Sequence, residues 1–260
     1  MDKERKQQLL SLLRAPIFNI ATSDDVILLR YDQALTHSTY AKEQRDRNIP
    51  CEDNERMEFF GDCILDFLIS RELYESFPKR SEELRRRFPN KTDEALLTDM
   101  LHEITNDSQL SEIVISLGSF EKVIRCGSGQ APNEGMRAGA FEAFIAAIFV
   151  ERGIEKTRAI VTRLFKERIT HAEPIISWKN KLQECVQKLE KTTNVKDIID
   201  YRTRREEGTP DHAAKHISDV YIKLSGKDWE IWGCGCGIKG KDAEKVAAEN
   251  AVRDHCSKQQ

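Results

Sequence analysis

Residues 54–67 read NERMEFFGDCILDF. Glu55, Glu58 and Asp62 fall at i, i+3 and i+7, so a helix over this stretch carries three carboxylates on one face. Phe59, Phe60, Ile64, Leu65, Phe67 and Leu68 surround them. Three like charges on an apolar helix repel, and burying them without partners would cost several kcal/mol each. Two arrangements relieve this: a solvated acidic stripe, or a divalent cation held among the acids. Mg²⁺ suits the second because it takes carboxylate and water oxygens in octahedral geometry. Another acid, Glu142, stands alone in the apolar run AGAFEAFIAAIF at 138–149. From a second helix crossing the first, it would add a carboxylate to the group. Four acids from two helices around one or two metals make a workable phosphodiester-hydrolysing centre.

Outward from this stretch the first 170 residues read mainly as helix. Apolar residues recur at helical spacing in QQLLSLL, DQALTHSTYA, MEFFGDCILDFLISRELY, EALLTDMLHEI, QLSEIVISLG and AFEAFIAAIFVERG. Turn-rich connections lie between them, IPCEDN around Pro50 and CGSGQAPNEG at 126–135. The charged segment KRSEELRRRFPNK at 79–91 reads as a solvated helix or loop, with arginines able to touch phosphate. After a break at 171–178 containing Pro174 the texture changes. KNKLQECVQKLEK is helical, DIIDYRTRR, HISDVYIKL and WEIWGCGCGI are strand-like, and DAEKVAAENAVRDHC is helical again. The expected fold is therefore mainly α: an all-helical domain over 1–172, then a small α-β-β-β-α domain over 176–258.

One third of the 260 residues are charged and 39% are hydrophobic, and no run approaches the roughly 18–20 apolar residues that span a bilayer. The start, MDKERKQQ, has no apolar signal core, so a cytoplasmic protein without membrane attachment is expected. Seven scattered cysteines, an odd number, favour free thiols in a reducing compartment, and Cys234-Gly235-Cys236 lacks the further ligands of a zinc site. The formal charge of −3 excludes a uniformly basic nucleic-acid coat. Its distribution is uneven: residues from 178 onward carry +2 and the first 177 carry −5, which allows local RNA binding at the C-terminal end.

NERMEFFGDCIL resembles the signature of the ribonuclease III family, usually close to NERLEFLGDAVL. LLRYDQALTHSTYA at 28–41 is similar to that family's LLQALTHRSYA segment, LYESFP at 73–78 to its LY..FP, and AGAFEAFIAAIFVERG to its ADAFEALIGAIYLD..G. These follow one another in the family's order. The second domain resembles a double-stranded RNA-binding domain: KNKLQECVQ is like its first helix, PDHAAKHISDVYI like its GPxHxxxFxVxV, and GCGIKGKDAEKVAAENAV like its GxGxSKKxAEQxAAxxAL.

The resemblance implies a double-stranded-RNA endoribonuclease that hydrolyses phosphodiesters with Mg²⁺, or Mn²⁺ in its place, leaving 5′-phosphate and 3′-hydroxyl ends. It implies Glu58, Asp62 and Glu142 as metal ligands, Asp62, Glu142 and Glu55 in catalysis, and Glu94 as an acid near the site, sixteen residues before LSEI. A homodimer through the helical domain is implied too; Phe59 and Phe60 either form that surface or pack in the core. In the second domain Gln183 and Glu184 would face an RNA minor groove, His212 a second one, and Lys239, Lys241 and Lys245 the phosphates between. His37 and His102 need no catalytic role.

One position departs from the pattern. The family carries D-x-x-E where this chain has Gly139-x-x-Glu142, so the carboxylate expected one turn before Glu142 is missing. Glutamate 134 is too far along a regular helix to replace it. Retained water would fill the vacant position, at a cost in metal affinity. The alternative is a catalytically impaired relative that binds structured RNA.

Overall fold

Most of the helices begin where the sequence supplies a side-chain oxygen, or a ring nitrogen, for orphan backbone N–H groups. In the computed structural model, which describes residues 1–175, 177–206 and 215–256, Asp2 caps α1 (Lys3–Arg14), Asp24 caps α2 (Asp25–Ala34) and His37 caps α3 (Ser38–Asp46). Then follow α4 (Glu55–Ser76), α5 (Ser81–Arg87), α6 (Asp93–Thr105) capped by Thr92, and α7 (Asp107–Ser116) capped by Asn106. The long α8 (Glu134–His171) is capped by Asn133 and bends at Gly153, whose φ of 73° leaves the helical region. Residues 138–148 of it are buried except for the half-buried Glu142, as the apolar run AGAFEAFIAAIF demands, and this stretch packs along α4. Phe18, Tyr31, Phe120, Phe141, Phe144 and Phe165 interlock edge-on or tilted around it.

The charged connection at 79–91 becomes the short α5, with a 3-10 turn before it. Two of its arginines face protein acids: Arg85 pairs with Asp93, and Arg87 with Glu83 and Glu173.

The chain divides into two compact units, residues 1–175 and the residues from 176 onward. The second unit holds α9 (Trp178–Glu190), β1 (Ile199–Arg205), β2 (His216–Ile222), β3 (Glu230–Gly237) and α10 (Gly240–Ala251). The strands form an antiparallel sheet in the order β1-β2-β3, in the expected α-β-β-β-α order. Leu182, Val186, Val220, Ile222, Trp232, Ala247 and Ala251 form its core. The C-G-C motif is strand: a Cβ on Gly235 would lie 2.3 Å from the Ala247 backbone nitrogen, so α10 rests directly on β3 while Cys234 and Cys236 point to the exposed side.

The expectation of seven free thiols is corrected here. Cys185 of α9 and Cys256 at the chain's end are joined in a disulfide, their Cα atoms 6.1 Å apart across 71 residues of sequence. Spacing along the chain does not reveal a pair made neighbours only by docking of the terminal helix. The other five cysteines are free.

Candidate active site

Helices α4 and α8 meet at a glycine. A Cβ on Gly61 would stand 1.8 Å from the carbonyl oxygen of Glu142, so the two backbones touch and only glycine fits at the crossing. The contact fixes which side chains meet. Glu58 and Asp62 flank Gly61 on α4, and Glu142 is the very residue it touches on α8. The three carboxylates line one cleft of about 420 Å³ with Glu55, His37, Ser38, Asn54 and Phe59. The sequence reading thus brings Glu55, Glu58, Asp62 and Glu142 into one place. Glu94 sits exposed in the first turn of α6, outside the cleft's lining.

The electrostatics follow from packing. Glu142 is the half-buried exception in an otherwise buried stretch of α8. Loss of water, then the charges of Asp62, Glu58 and Asp107, push its carboxyl up to about 8. Glu58 is also raised, by burial first and then by Glu55, Asp107 and Asp62. Asp66, one turn beyond Asp62, is raised by burial and by Asp62. Glu58, Asp66 and Glu142 are thus all harder to ionise, the situation a bound cation relieves.

Gly139 is where structure and expectation differ most. The place of a side chain there is taken by a carboxylate, not left to water: a Cβ on Gly139 would lie 2.5 Å from Glu58 Oε2. The acid of α4 lies over the bare turn of α8, and α8 itself offers one carboxylate instead of two.

The residues present suit a divalent cation on two grounds. The donors are hard oxygens. In addition, Asn54 is 1% exposed and its Oδ1 has no hydrogen-bond partner. Asn54 stands at the N-cap of α4, yet its side chain does not cap that helix, unlike Asn106 and Asn133 on theirs. Its backbone N–H donates to the Thr36 carbonyl instead, which holds the residue at the cleft wall. A buried acceptor left unmatched costs about 1–3 kcal/mol, and a donor in the cleft, such as cation-held water or a ribose hydroxyl, would meet it. Among the described residues no three acidic, histidine or cysteine side chains converge closely enough to hold a metal ion as they stand. Mutually repelling acids keep apart.

Three residues of this neighbourhood escaped the sequence reading: Asn54, Asp66 and Asp107. Asn54 stands at a helix N-cap and Asp107 in a helix's first turn, places that by themselves account for such residues. Asp66 carried one signal, its i+4 spacing from Asp62. His37 lines the cleft while its Nδ1 accepts the Thr39 N–H at the start of α3.

In the second unit Gln183 and Glu184 are exposed on α9, and Lys239, Lys241 and Lys245 are exposed at the start and along the first turns of α10. Lysine 239 occupies the N-cap position, and its backbone N–H donates to Asp242 Oδ2 at 3.3 Å. His212 lies outside the described residues. Among the described residues no helix is long and apolar enough to cross a membrane.

Two family models match in sequence order, the ribonuclease-III-like model over residues 28–169 and the double-stranded RNA binding motif over 178–255. Ribonuclease 3 of Bdellovibrio bacteriovorus is 31% identical, the match covering 85% of this chain and 87% of that protein. Ribonuclease 3 1 of Nostoc sp. is 37% identical over 88% and 92%. The nuclease domain of ribonuclease III from Campylobacter jejuni superposes with a TM-score of 0.45 at 24% identity, over 64% of this chain and 95% of that one. With the signature acids gathered at the glycine crossing, and with both models and full-length relatives agreeing along the chain, this protein belongs to the ribonuclease III family.

Proposed function

We propose that the chain is an endoribonuclease that cuts double-stranded RNA by Mg²⁺-dependent phosphodiester hydrolysis, leaving 5′-phosphate and 3′-hydroxyl ends. One observation carries the reading: the Gly61–Glu142 backbone contact that puts Glu58, Asp62 and Glu142 in a single cleft. Glu58, Asp62 and Glu142 would hold the cation. When bound, it supplies positive charge to the scissile phosphate and makes water a stronger nucleophile. Glu142, whose proton is held on first by burial and then by the neighbouring acids, would have to release it to serve as a ligand. Glu55, exposed at the cleft's edge, orients solvent and substrate. Asn54 Oδ1 accepts a hydrogen bond from water or a ribose hydroxyl.

The module from about 176 to 258 grips the duplex. Gln183 and Glu184 meet 2′-hydroxyls in the wide minor groove, and Lys239, Lys241 and Lys245 meet phosphates at a helix N-terminus. His212 would enter a second minor groove. A second copy pairs through α4, where Phe59 is 73% and Phe67 60% exposed, values that exclude a core role for these two rings in the single chain. Two copies then offer one site per RNA strand.

The test is incubation of purified protein with long duplex RNA in Mg²⁺, Mn²⁺ or EDTA. Cation-dependent cutting that vanishes in Glu142→Ala supports the enzyme. A second reading, an impaired relative that binds structured RNA, is favoured by Gly139, which leaves α8 with a single acid. Duplex that stays intact with the native chain but is cut by Gly139→Asp would decide for that reading. The three atoms nearest a Cβ at this position all belong to the free end of the Glu58 side chain, which can swing away.

A further inference from the structure

On α8, residues 135, 139 and 142 fall at i, i+4 and i+7, on one face. Two of them are glycines, and each faces a carboxylate from another helix. Glu58 of α4 lies over Gly139, and a Cβ on Gly135 would lie 3.7 Å from Asp107 Oδ2 of α7. With both positions bare, α8 itself puts no side chain at 135 or 139, and the carboxylates of Asp107 and Glu58 lie over these two successive turns. Asp107 is outside the residues that line the cleft and meets α8 one turn before Gly139, a place from which a carboxylate acts through water and not by direct contact. Capping does not need it, because Asn106 Oδ1 already accepts the Gln109 N–H at 3.1 Å. Among the described residues Asp107 forms no ion pair, although it opens a helix beside two other acids and raises the local repulsion. A family-type site would gather four carboxylates from α4 and α8; with glycine at 139 three remain. The unmatched Asn54 Oδ1 in the same cleft independently points to a ligand there.

Resting on the cation-dependent reading of this cleft, we propose that Asp107 supplies, from α7, the carboxylate that α8 lacks at Gly139, and that it holds the same cation through the waters Mg²⁺ retains. Three helices then build the site, and Gly135 keeps open the path by which the third reaches it. The sequence change at 139 is a relocation of charge and not its loss.

The test is calorimetric titration of Mn²⁺ alone into the full chain, with no RNA present. Asp107→Asn keeps the shape and first-turn polarity and should weaken Mn²⁺ binding about 10-fold or more, in the range typical of residues that hold a metal through intermediaries. Asp107→Ser, another residue compatible with a helix start, is the second removal and should do the same. Adding Gly139→Asp to Asp107→Asn should restore affinity to near the native value. An acid that serves only the helix dipole would instead lower the melting point without metal and leave Mn²⁺ affinity alone. Native-like Mn²⁺ binding by both Asp107 variants, with Asp62→Asn binding none, overturns the role of Asp107 and leaves the cleft's function standing. Absence of Mn²⁺ binding by the native chain overturns both.

Discussion

The two units present their charged side chains in opposite ways. In the first, acids are drawn together where two helices touch, and they share a cleft in which burial and then the surrounding charges raise Glu58 and Glu142. In the second, the residues expected to meet RNA stand exposed on the outer faces of α9 and α10, fixed by helix geometry alone. The first arrangement is costly and depends on a backbone contact. The second is cheap and tolerant, since exposed charges interact through high-dielectric solvent. Sensitivity to single changes should therefore be concentrated at the crossing and diluted over the RNA-facing surface.

The sharpest way to break the contrast is at Gly61. Gly61→Ala puts a methyl group 1.8 Å from a carbonyl oxygen, and neither backbone can yield without parting α4 from α8. Destabilisation at the upper end of overpacking effects, about 3 kcal/mol, is expected by denaturant titration, with RNA cutting lost. Duplex binding by the second unit should persist. If it fell in parallel, the units would not be independent in the way the comparison requires.

Next comes removal of the disulfide, the second unit's own covalent dependence on tertiary structure. Closing 71 residues of chain is worth about 4.4 kcal/mol in the loop-entropy account. Reduction, or Cys256→Ser, should lower the unfolding midpoint of the second unit while leaving that of the helical unit in place. Differential scanning calorimetry reads both transitions.

Glu142→Gln gives a smaller stability effect with a definite sign. The folded carboxyl keeps its proton up to about 8, whereas the unfolded one releases it near the ordinary glutamate value of 4.5. Between those values the folded state binds more protons, so stability falls as pH rises, and the loss is complete above pH 8. The amide carries no charge, so Glu142→Gln should flatten that decline and be more stable than the native chain at pH 8 without metal. It should nevertheless cut RNA at least about 100-fold more slowly. Urea titrations at pH 5 and pH 8 check the first statement, and a variant that keeps the native pH slope would refute it.

The smallest effects belong to the lysines. Lys239→Ala, Lys241→Ala or Lys245→Ala should each weaken duplex binding modestly and alike across sequences, and reduce the salt slope by about 1 per contact, measured by filter binding at two salt concentrations. A lysine whose removal leaves the slope unchanged is a solvated side chain.

Much of this was legible beforehand. Period-3.6 patterning gave the helices, the change of texture after Pro174 marked the second unit, and the signature acids were named before their surroundings were known. The local reading failed wherever a local explanation was already sufficient. Asn54 and Asp107 look like cap chemistry, Cys185 and Cys256 look like stray thiols, and Gly139 looks like a gap. Gly61 was passed over as one residue in a signature, though it is the residue that lets the two acidic helices touch.

By itself the sequence determined which residues lie on which helix face, because helical period is a property of the chain alone. It also determined that one acid was absent from position 139. Only the tertiary structure decided what that absence means. Glu58 lies over the bare turn and Asp107 approaches from α7, because a glycine contact between backbones, which leaves no trace in periodicity or composition, sets the distance at which charges from three helices act on one another.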